Sequence, residues 1–308
     1  RFVERRVVFR AAPRESRPPR LVALHDVELA DGVLDRVTCS SSPQLEFAGI
    51  IATSLSDKAA NNARGRCMIP DGAFFGVPFN SAAFDFSYVG TDLAFSNVVA
   101  KTSGGAGVKA QALISMPDFS YDTASFSVDC ALDNGSLEEL MGIFNLPSDN
   151  KYRGAVTGNI HVEAPMNSNL VSRLNGYGKF AIADGHLNQF RIFAGLTDLL
   201  AEKVPGVASI VNQSSGSADF TIKNGVVSMS NILIEGALFS IRGSGKIDLQ
   251  SNELDFKLQV QFFRKESILS TLINHVTWAF TKLFMEIKLE GPLSDPKWDY
   301  ISVIDRVL

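Results

Sequence analysis

The clearest pattern along this chain is the alternation of apolar and polar residues in short runs. In Glu253–Phe262, with the sequence ELDFKLQVQF, every second residue is apolar. A period of two places successive side chains on opposite faces of a β-strand. Because burial of a large apolar side chain is worth about 1.5–3 kcal/mol, something must cover the apolar face of this strand. That face is formed by Leu254, Phe256, Leu258, Val260 and Phe262.

A short turn motif recurs four times, as two pairs whose members lie 40 residues apart. The motif is Asp31-Gly32, Asp71-Gly72, Asp184-Gly185 and Asn224-Gly225, each with apolar flanks. Asp-Gly and Asn-Gly supply the positive φ angles of tight hairpin turns. The sequence therefore predicts a β-hairpin at each motif, most clearly at the two F-x-I-x-[DN]-G copies.

Further alternating runs predict strands over 81–99, 107–116, 125–132, 154–163, 230–241 and 243–250. The glycine-rich stretches 103–107 and 243–245 are typical of bends. About 14–18 strands joined mostly by short connections favour antiparallel pairing.

Helical spacing of apolar residues is confined to a few segments. Ser136 and Glu139 form a capping-box pattern that opens a short helix through about 144. Further helices are predicted near 168–175, 188–203 and 266–283. We expect the last two to cap or plug a large sheet, with contact to a membrane surface as the alternative.

The composition is that of a globular protein: 308 residues, 45% hydrophobic, with a net charge of −4 and 22 phenylalanines. No basic stripe follows a periodic segment, so a nucleic-acid partner is not expected. The first 20 residues are arginine-rich, which indicates a solvated arm or a strand edge. The alternatives are contact with acidic lipid headgroups or with a part of the protein outside this chain. The length suffices for one large β domain or two smaller ones, and we divide the chain into 1–149 and 150–308.

The sequence contains few candidate catalytic or metal-binding motifs. The four histidines are scattered, no nucleophile elbow occurs, and Cys39, Cys67 and Cys130 lack metal-ligand spacing. We therefore expect no catalytic residue, no metal and no cofactor. The cysteines are interpreted as three buried thiols, with one disulfide plus one free thiol as the alternative. No run of 18 apolar residues occurs. Because the chain begins at Arg1, we expect a fragment whose export signal or anchor lies upstream.

Several phrases in the last 130 residues occur in an order that resembles a known family. They are GKFAIADGHL from Gly178, FTIKNGVV from Phe220, IRGSGKIDL from Ile241 and, last, LEGPLSDPKW from Leu289. This arrangement over about 150–308 is similar to the C-terminal region of AsmA-like, or TamB-like, bacterial envelope proteins. Residues 1–149 resemble that family in style only.

The resemblance implies a mainly β fold: a long, curved antiparallel sheet, shaped like a β-taco or open-barrel groove, with a few amphipathic helices. It also implies a non-enzymatic protein of the periplasm or cell envelope of a Gram-negative-type bacterium, anchored in the inner membrane by a segment outside this chain. Its function would be phospholipid transport between the inner and outer membranes and maintenance of envelope integrity. Expected partners are phospholipid or another acyl-chain lipid, the membrane itself and envelope proteins.

Two hypotheses follow. In the first, a lipid groove is lined by Phe180, Ile182, Phe220, Ile222, Leu254, Phe256, Leu258, Val260 and Phe262. In the second, the same alternation builds a closed β-sandwich that serves as an envelope scaffold or protein-interaction module. Alternating strands are compatible with both.

Overall fold

The protein is described here from a computed structural model, which covers residues 7–10, 37–50, 60–74, 76–118, 120, 122–143, 152–167, 169–186, 195–196, 199, 214–236, 239–262 and 283–305. The fold is mainly β, since 73% of the described residues lie in strands, and its sheet is antiparallel, open and curved. Within the described residues there are 17 strands, inside the expected range. The predicted fold class is confirmed at this level.

The chain forms two compact units. Unit 1 comprises Arg1–Leu146 and Thr157–Gly176, and unit 2 comprises Pro147–Val156 and Tyr177–Leu308. Each unit is built on an open antiparallel sheet.

The strands of unit 1 are mostly joined by tight turns. From β6 onward, each strand pairs with the next strand in the sequence. They are β1 (Val7–Arg10), β2 (Val37–Cys39), β3 (Gln44–Ile50), β4 (Asn62–Ile69), β5 (Gly72–Phe74), β6 (Val77–Val89), β7 (Asp92–Thr102), β8 (Gly107–Ser115), β9 (Ser125–Ser136) and most of β10 (Ala155–Pro165). The pairing order is β1–β3–β4–β6–β7–β8–β9–β10, and β2 and β5 continue the sheet beside the first residues of β6.

Unit 2 contains most of β11 (Asn175–Gly185), followed by an antiparallel meander of six strands. These are β12 (Ser214–Lys223), β13 (Val226–Gly236), β14 (Phe239–Asp248), β15 (Glu253–Phe262), β16 (Leu283–Pro292) and β17 (Lys297–Asp305). Each of these six pairs with the next in sequence. The predicted strand at 253–262 is confirmed and lies between β14 and β16.

One of the four turn motifs is a hairpin turn. Asn224 and Gly225 have φ angles of 51° and 79° and connect β12 to β13, as the Asn-Gly pair predicts. Asp31-Gly32 lies outside the described residues.

The hairpins predicted at the other two motifs are wrong. Asp71 lies in a bend between β4 and β5, Gly72 is the first residue of β5, and both of these strands pair with β6, not with each other. Pro70 explains the interruption, because proline cannot donate a ladder hydrogen bond. Asp184 has a φ of 53°, but it lies at the end of β11, and the next described strand begins only at Ser214.

Two predicted strand boundaries are also wrong. The run 81–99 is two strands, because Gly90 and Thr91 form a turn between β6 and β7. The predicted break before 243 is wrong, because β13 ends at Gly236 and β14 begins at Phe239 and runs through 243–245. The predicted strands at 107–116, 125–132 and 154–163 are confirmed as β8, β9 and β10.

Gly243 and Gly245 lie within β14, where bulky neighbours occupy the space that a side chain at either position would need. A Cβ atom at 245 would lie 2.1 Å from Cδ1 of Phe256, and one at 243 would lie 2.7 Å from Cδ2 of Leu258. Phe256 and Leu258 are their direct partners on β15. These glycines are therefore packing positions, where a large side chain covers the backbone of the neighbouring strand.

The predicted helices have mixed outcomes. The first, α1, spans Leu137–Ile143, and the amide of Glu139 donates to Oγ of Ser136 at 3.4 Å, as expected for the N-cap. The segment 168–175 holds only a 3-10 turn, Val171–Arg173, before β11 begins. Of 188–203, Gly195, Leu196 and Leu199 are described and helical. The helix predicted at 266–283 lies outside the described residues, except for Leu283, which begins β16.

Candidate functional site

One face of the unit 1 sheet carries no charged residue across six strands. Residues that pair directly on neighbouring strands share a face, so the register joins their side chains into rows. The central row is Phe47, Gly65, Phe86, Phe95, Ala112 and Val128. One flanking row is Leu45, Cys67 and Phe84, continued beyond the bulge of the β6–β7 hairpin by Val98, Ala110 and Cys130. The other is Ala63, Tyr88, Leu93, Ile114 and Phe126. We call these three rows the unit 1 apolar face.

The opposite face of the same strands carries the charged residues, together with exposed apolar side chains such as Met68, Val99 and Leu113. Alternate positions of β4 are Arg64 and Arg66, and Arg66 approaches Asp85 of β6 to 3.9 Å. A depression of about 490 Å³ lies among these strands, and its lining mixes both arginines, Glu46 and Asp85 with Phe47, Gly65 and Phe86 of the central row. Because the lining carries charges of both signs, this depression does not resemble an acyl-chain site.

On this opposite face, a row of hydrogen-bonded polar side chains crosses β8, β9 and β10. Asp129 on β9 accepts from Nε2 of Gln111 on β8 at 3.0 Å and lies 2.7 Å from Nδ1 of His161 on β10. The hydrogen bond from Gln111, followed by the one with His161, lowers the pKa of Asp129. This arrangement ties three neighbouring strands together and needs no catalytic explanation.

The unit 1 apolar face is covered only in part. Ala63, Cys67 and Phe86 are buried, whereas the remaining residues of the three rows are half-buried. At one end, Tyr88, Ile114 and Phe126 pack against a small buried cluster of Met116, Ala124 and Met166. The helix α1 contacts β6 as well as β9, and its first residue, Leu137, is buried.

The corresponding face of unit 2 is a closed core. Leu254, Phe256, Leu258 and Val260 are 3%, 7%, 4% and 0% exposed, and Phe262 is half-buried. They pack with residues of β14 and β16, among them Ile241, Met285, Ile287 and Leu289. Leu196, which is fully buried, and Leu199 pack against the same cluster, as do Trp298 and Tyr300. The apolar face of β15, whose burial the sequence requires, is thus covered by other parts of the protein.

The other predicted lining residues lie on β11 and β12. Phe180 and Phe220 are half-buried, and their ring centroids are 6.5 Å apart. Ile182 is half-buried and Ile222 is buried. The structure therefore brings Phe180 and Phe220 together, and it gathers the β15 residues in a separate buried cluster in which neither phenylalanine is included.

Sequence reasoning missed an internal repeat that relates the two units. The hairpin β6–β7 pairs Asp85 with Ser96 and Phe86 with Phe95, and the hairpin β12–β13 pairs Asp219 with Ser230 and Phe220 with Met229. Both hairpins are bulged at the same place, just after the paired serine. The bulge residues, Asn97 and Asn231, each have a φ of 51°. The sequence pattern that marks this repeat is D-F-[ST] followed by S-N, in which the Asn lies 12 positions after the Asp.

The repeat continues over the next two strands. In unit 1, Ala110 pairs with Cys130 and Ala112 with Val128. At the same positions of unit 2, Gly243 pairs with Leu258 and Gly245 with Phe256.

The equivalent positions differ in bulk. Phe256 and Leu258 fill the space above the two glycines, whereas Val128 and Cys130 are smaller and lie beside alanines. We call Ala110, Ala112, Val128 and Cys130 the small-residue patch. All four are half-buried.

The surroundings of the three cysteines disfavour the thiolate form. All three thiols are free, but only Cys67 is buried, so the prediction of three buried thiols is wrong for Cys39 and Cys130. Burial, followed by the nearby Cys39, raises the pKa of Cys67 to about 11. Burial also raises the pKa of Cys130. A raised pKa leaves less thiolate, which is the nucleophilic form. Among the described residues no cluster of His, Cys, Asp and Glu is suited to hold a metal ion.

No helix in the described ranges has both the length and the hydropathy needed to cross a bilayer. No protein-family model, curated protein or solved structure matches this chain.

Proposed function

We propose that the unit 1 apolar face binds the acyl chains of lipids. The observation that carries the proposal is the set of three uncharged rows across six strands, most of whose residues are half-buried. An acyl chain is bound by continuous apolar surface and requires no specific hydrogen bond. Contiguous apolar surface that is left partly exposed marks a binding site more often than singly scattered apolar residues do.

The small-residue patch is the floor of the proposed site. Ala110, Ala112, Val128 and Cys130 leave room that Phe256 and Leu258 fill in unit 2. The cluster of Met116, Ala124 and Met166 closes one end of the site. The contact of α1 with β6 supports closure of the other end by that helix.

The wider role that we propose is phospholipid transport between the inner and outer membranes of a bacterial envelope. In this role the protein is a non-enzymatic, groove-forming protein of the periplasm. It is supported by the order of phrases shared with AsmA-like proteins, and by a sheet that is open and curved. The partners are then a phospholipid at the apolar face and envelope proteins or membrane at the ends of a longer groove.

The experiment is lipid capture by the full chain. The protein is incubated with vesicles of phosphatidylethanolamine and phosphatidylglycerol, reisolated and examined by native mass spectrometry. Ala112→Trp fills the patch and is expected to lower lipid affinity about tenfold, which corresponds to about 1.4 kcal/mol. Leu113→Trp is the matched control, because Leu113 is the adjacent residue, points to the opposite face and is 43% exposed.

A second variant, examined together with the folding of each protein, distinguishes loss of the binding site from loss of the fold. Val128→Asp introduces a charge beside the bound chain and should also reduce capture, since an unpaired charge against hydrocarbon is costly. Circular dichroism of each variant verifies that the strands are retained. Equal lipid capture by wild type, Ala112→Trp and Val128→Asp would contradict the proposal.

The second candidate is a closed scaffold or protein-interaction module, and the burial of Leu254, Phe256, Leu258 and Val260 favours it for unit 2. A scaffold of this kind would take up no lipid from vesicles. The same mass-spectrometry experiment therefore distinguishes the two candidates.

A further inference from the structure

The depression on the charged face of the unit 1 sheet is large enough for a small ligand. We call it the mixed-charge depression; its volume is about 490 Å³, and its polar lining is Glu46, Arg64, Arg66, Asp85, Ser87 and Ser96. These residues alternate along their strands with Phe47, Gly65, Phe86 and Phe95 of the central row. Their side chains therefore lie on the face opposite the proposed acyl-chain site.

The strand register distributes charge unevenly within this depression. Arg66 of β4 pairs directly with Glu46 of β3 and with Asp85 of β6, so an acid lies on each side of it. Arg64, two residues earlier on the same strand, pairs directly with an alanine and with Ser87. The depression thus has a positive end at Arg64 and a negative end beside Glu46 and Asp85, while two arginines and two carboxylates give it no net charge.

The charged groups of the depression are accessible to a ligand. Glu46, Arg64 and Arg66 are exposed. Nε of Arg66 lies 3.9 Å from Oδ1 of Asp85, which is beyond hydrogen-bond distance. Oδ2 of Asp85 accepts from Asn97 at 2.8 Å, so it is Oδ1 that faces the arginine. A ligand can therefore reach both ends without breaking a short ion pair.

We propose that the mixed-charge depression binds a phosphoethanolamine group, in which a phosphodiester is joined through two carbons to a primary ammonium. The phosphodiester lies at the positive end, where the guanidinium of Arg64 and the hydroxyl of Ser87 donate to its oxygens. The ammonium lies at the negative end, where it donates to the carboxylates of Glu46 and Asp85. This site is on the other face of the sheet from the proposed acyl-chain site and does not depend on it.

Other small ligands match this charge distribution less well. A simple anion is attracted by Arg64 but repelled by the two carboxylates, and a simple cation meets the reverse arrangement. An α-amino acid carries both charges on one carbon, whereas the two ends of the depression are one two-residue step apart, about 6.6 Å along a strand. A phosphodiester with a linked ammonium carries one charge of each sign, as the lining requires.

Titration calorimetry of the full chain with glycerophosphoethanolamine tests the site. Arg64→Gln and Glu46→Gln each remove one charged contact and are expected to weaken binding about tenfold. Arg64→Lys keeps the charge but loses the planar fork, so its affinity should be intermediate. Lys109→Gln is the matched control, because Lys109 is an exposed cation on the same face but outside the depression. Circular dichroism of each variant verifies its fold.

Two related ligands and one further variant test the specificity. Glycerophosphocholine has a methylated ammonium that cannot donate a hydrogen bond, and glycerophosphoglycerol has no cation. We expect both to bind about tenfold more weakly than glycerophosphoethanolamine. Ala112→Trp, on the apolar face, should leave the titration unchanged.

The phosphoethanolamine group occurs both as a lipid headgroup and in soluble esters, and vesicle flotation distinguishes these two sources. Flotation with phosphatidylethanolamine in a phosphatidylcholine background, lost in Arg64→Gln but not in Lys109→Gln, assigns the group to a lipid headgroup. Binding of glycerophosphoethanolamine without such flotation assigns it to a soluble ester. Both results support the site.

Three results would overturn the site. They are no measurable binding at millimolar glycerophosphoethanolamine, equal affinity of Arg64→Gln and the wild type, and equal affinity for glycerophosphocholine. None of them bears on lipid capture at Ala112, so failure here leaves the proposed acyl-chain site standing.

Discussion

The side-chain amide of Asn231 donates a 2.8 Å hydrogen bond to the carboxylate of Asp219, across the hairpin β12–β13. In unit 1, Asn97 donates to Asp85 at the same distance and across the equivalent hairpin. In both cases the asparagine has a φ of 51° and lies at a bulge, where the ladder register shifts. A bulge bends its strand and increases the local twist, so this pair of residues fixes where each sheet curves.

Replacing the bulge asparagine should destabilise the protein. Asn231→Ala replaces a residue whose polar side chain tolerates the left-handed region with one that does not, and it removes the bond to Asp219, so we expect a loss of about 1–2 kcal/mol in the free energy of unfolding. Asn231→Gly keeps the backbone conformation accessible and should lose less. Urea denaturation of both variants gives the comparison, and Asn97 offers the same pair of variants in unit 1. Equal stability of the alanine variant and the wild type would show that the bulge does not depend on this residue.

The close approach of Phe256 to Gly245 predicts a coupled pair. Gly245→Val forces the new side chain against Cδ1 of Phe256, and overpacking of this kind costs about 1–3 kcal/mol. In the double variant with Phe256→Ala, part of this loss should be recovered, which a double-mutant cycle measures by urea denaturation. Ser244→Val is the control, because Ser244 is exposed and lies on the opposite face. Additive losses in the cycle would contradict direct packing of the two positions.

The two repeated faces should respond differently to truncation. Phe256→Ala empties a buried position and is expected to cost about 3–5 kcal/mol. Val128→Ala, at the equivalent but half-buried position, is expected to cost less than about 1.5 kcal/mol. Thermal or chemical unfolding of the two variants provides the test. Comparable losses would mean that the unit 1 face is as fully closed as the unit 2 face, which would count against the proposed acyl-chain site.

The polar row on β8, β9 and β10 predicts a pH dependence. Hydrogen bonds from Gln111 and with His161 lower the pKa of Asp129 in the folded protein below its ordinary value of 3.8. The stabilisation from the ionised carboxylate is therefore fully present above that ordinary value, and it is lost as the pH falls through the lowered value. Wild type should lose more stability than Asp129→Asn when urea midpoints at about pH 6 and pH 3 are compared. An equal loss in both proteins would show that Asp129 does not contribute.

Much of the fold could be read from local patterns. Alternation in β8, β9 and β15 predicts strands because the side-chain period of a strand is two, and Asn224-Gly225 predicts its hairpin because both residues accept a positive φ. The same rule failed at Asp71-Gly72 and at Asp184-Gly185. A turn dipeptide specifies a local backbone conformation, and whether the chain then reverses depends on which strand is available to pair.

The sequence by itself determined the fold class and the division of each strand into an apolar and a polar face. Only the tertiary structure decided what covers each apolar face, because covering residues come from distant parts of the chain. Leu196 buries the face of β15 in unit 2, while the equivalent rows around Ala112 remain half-buried in unit 1. The alternating pattern is the same in both units, and it therefore cannot distinguish a closed core from a surface that is open to a ligand.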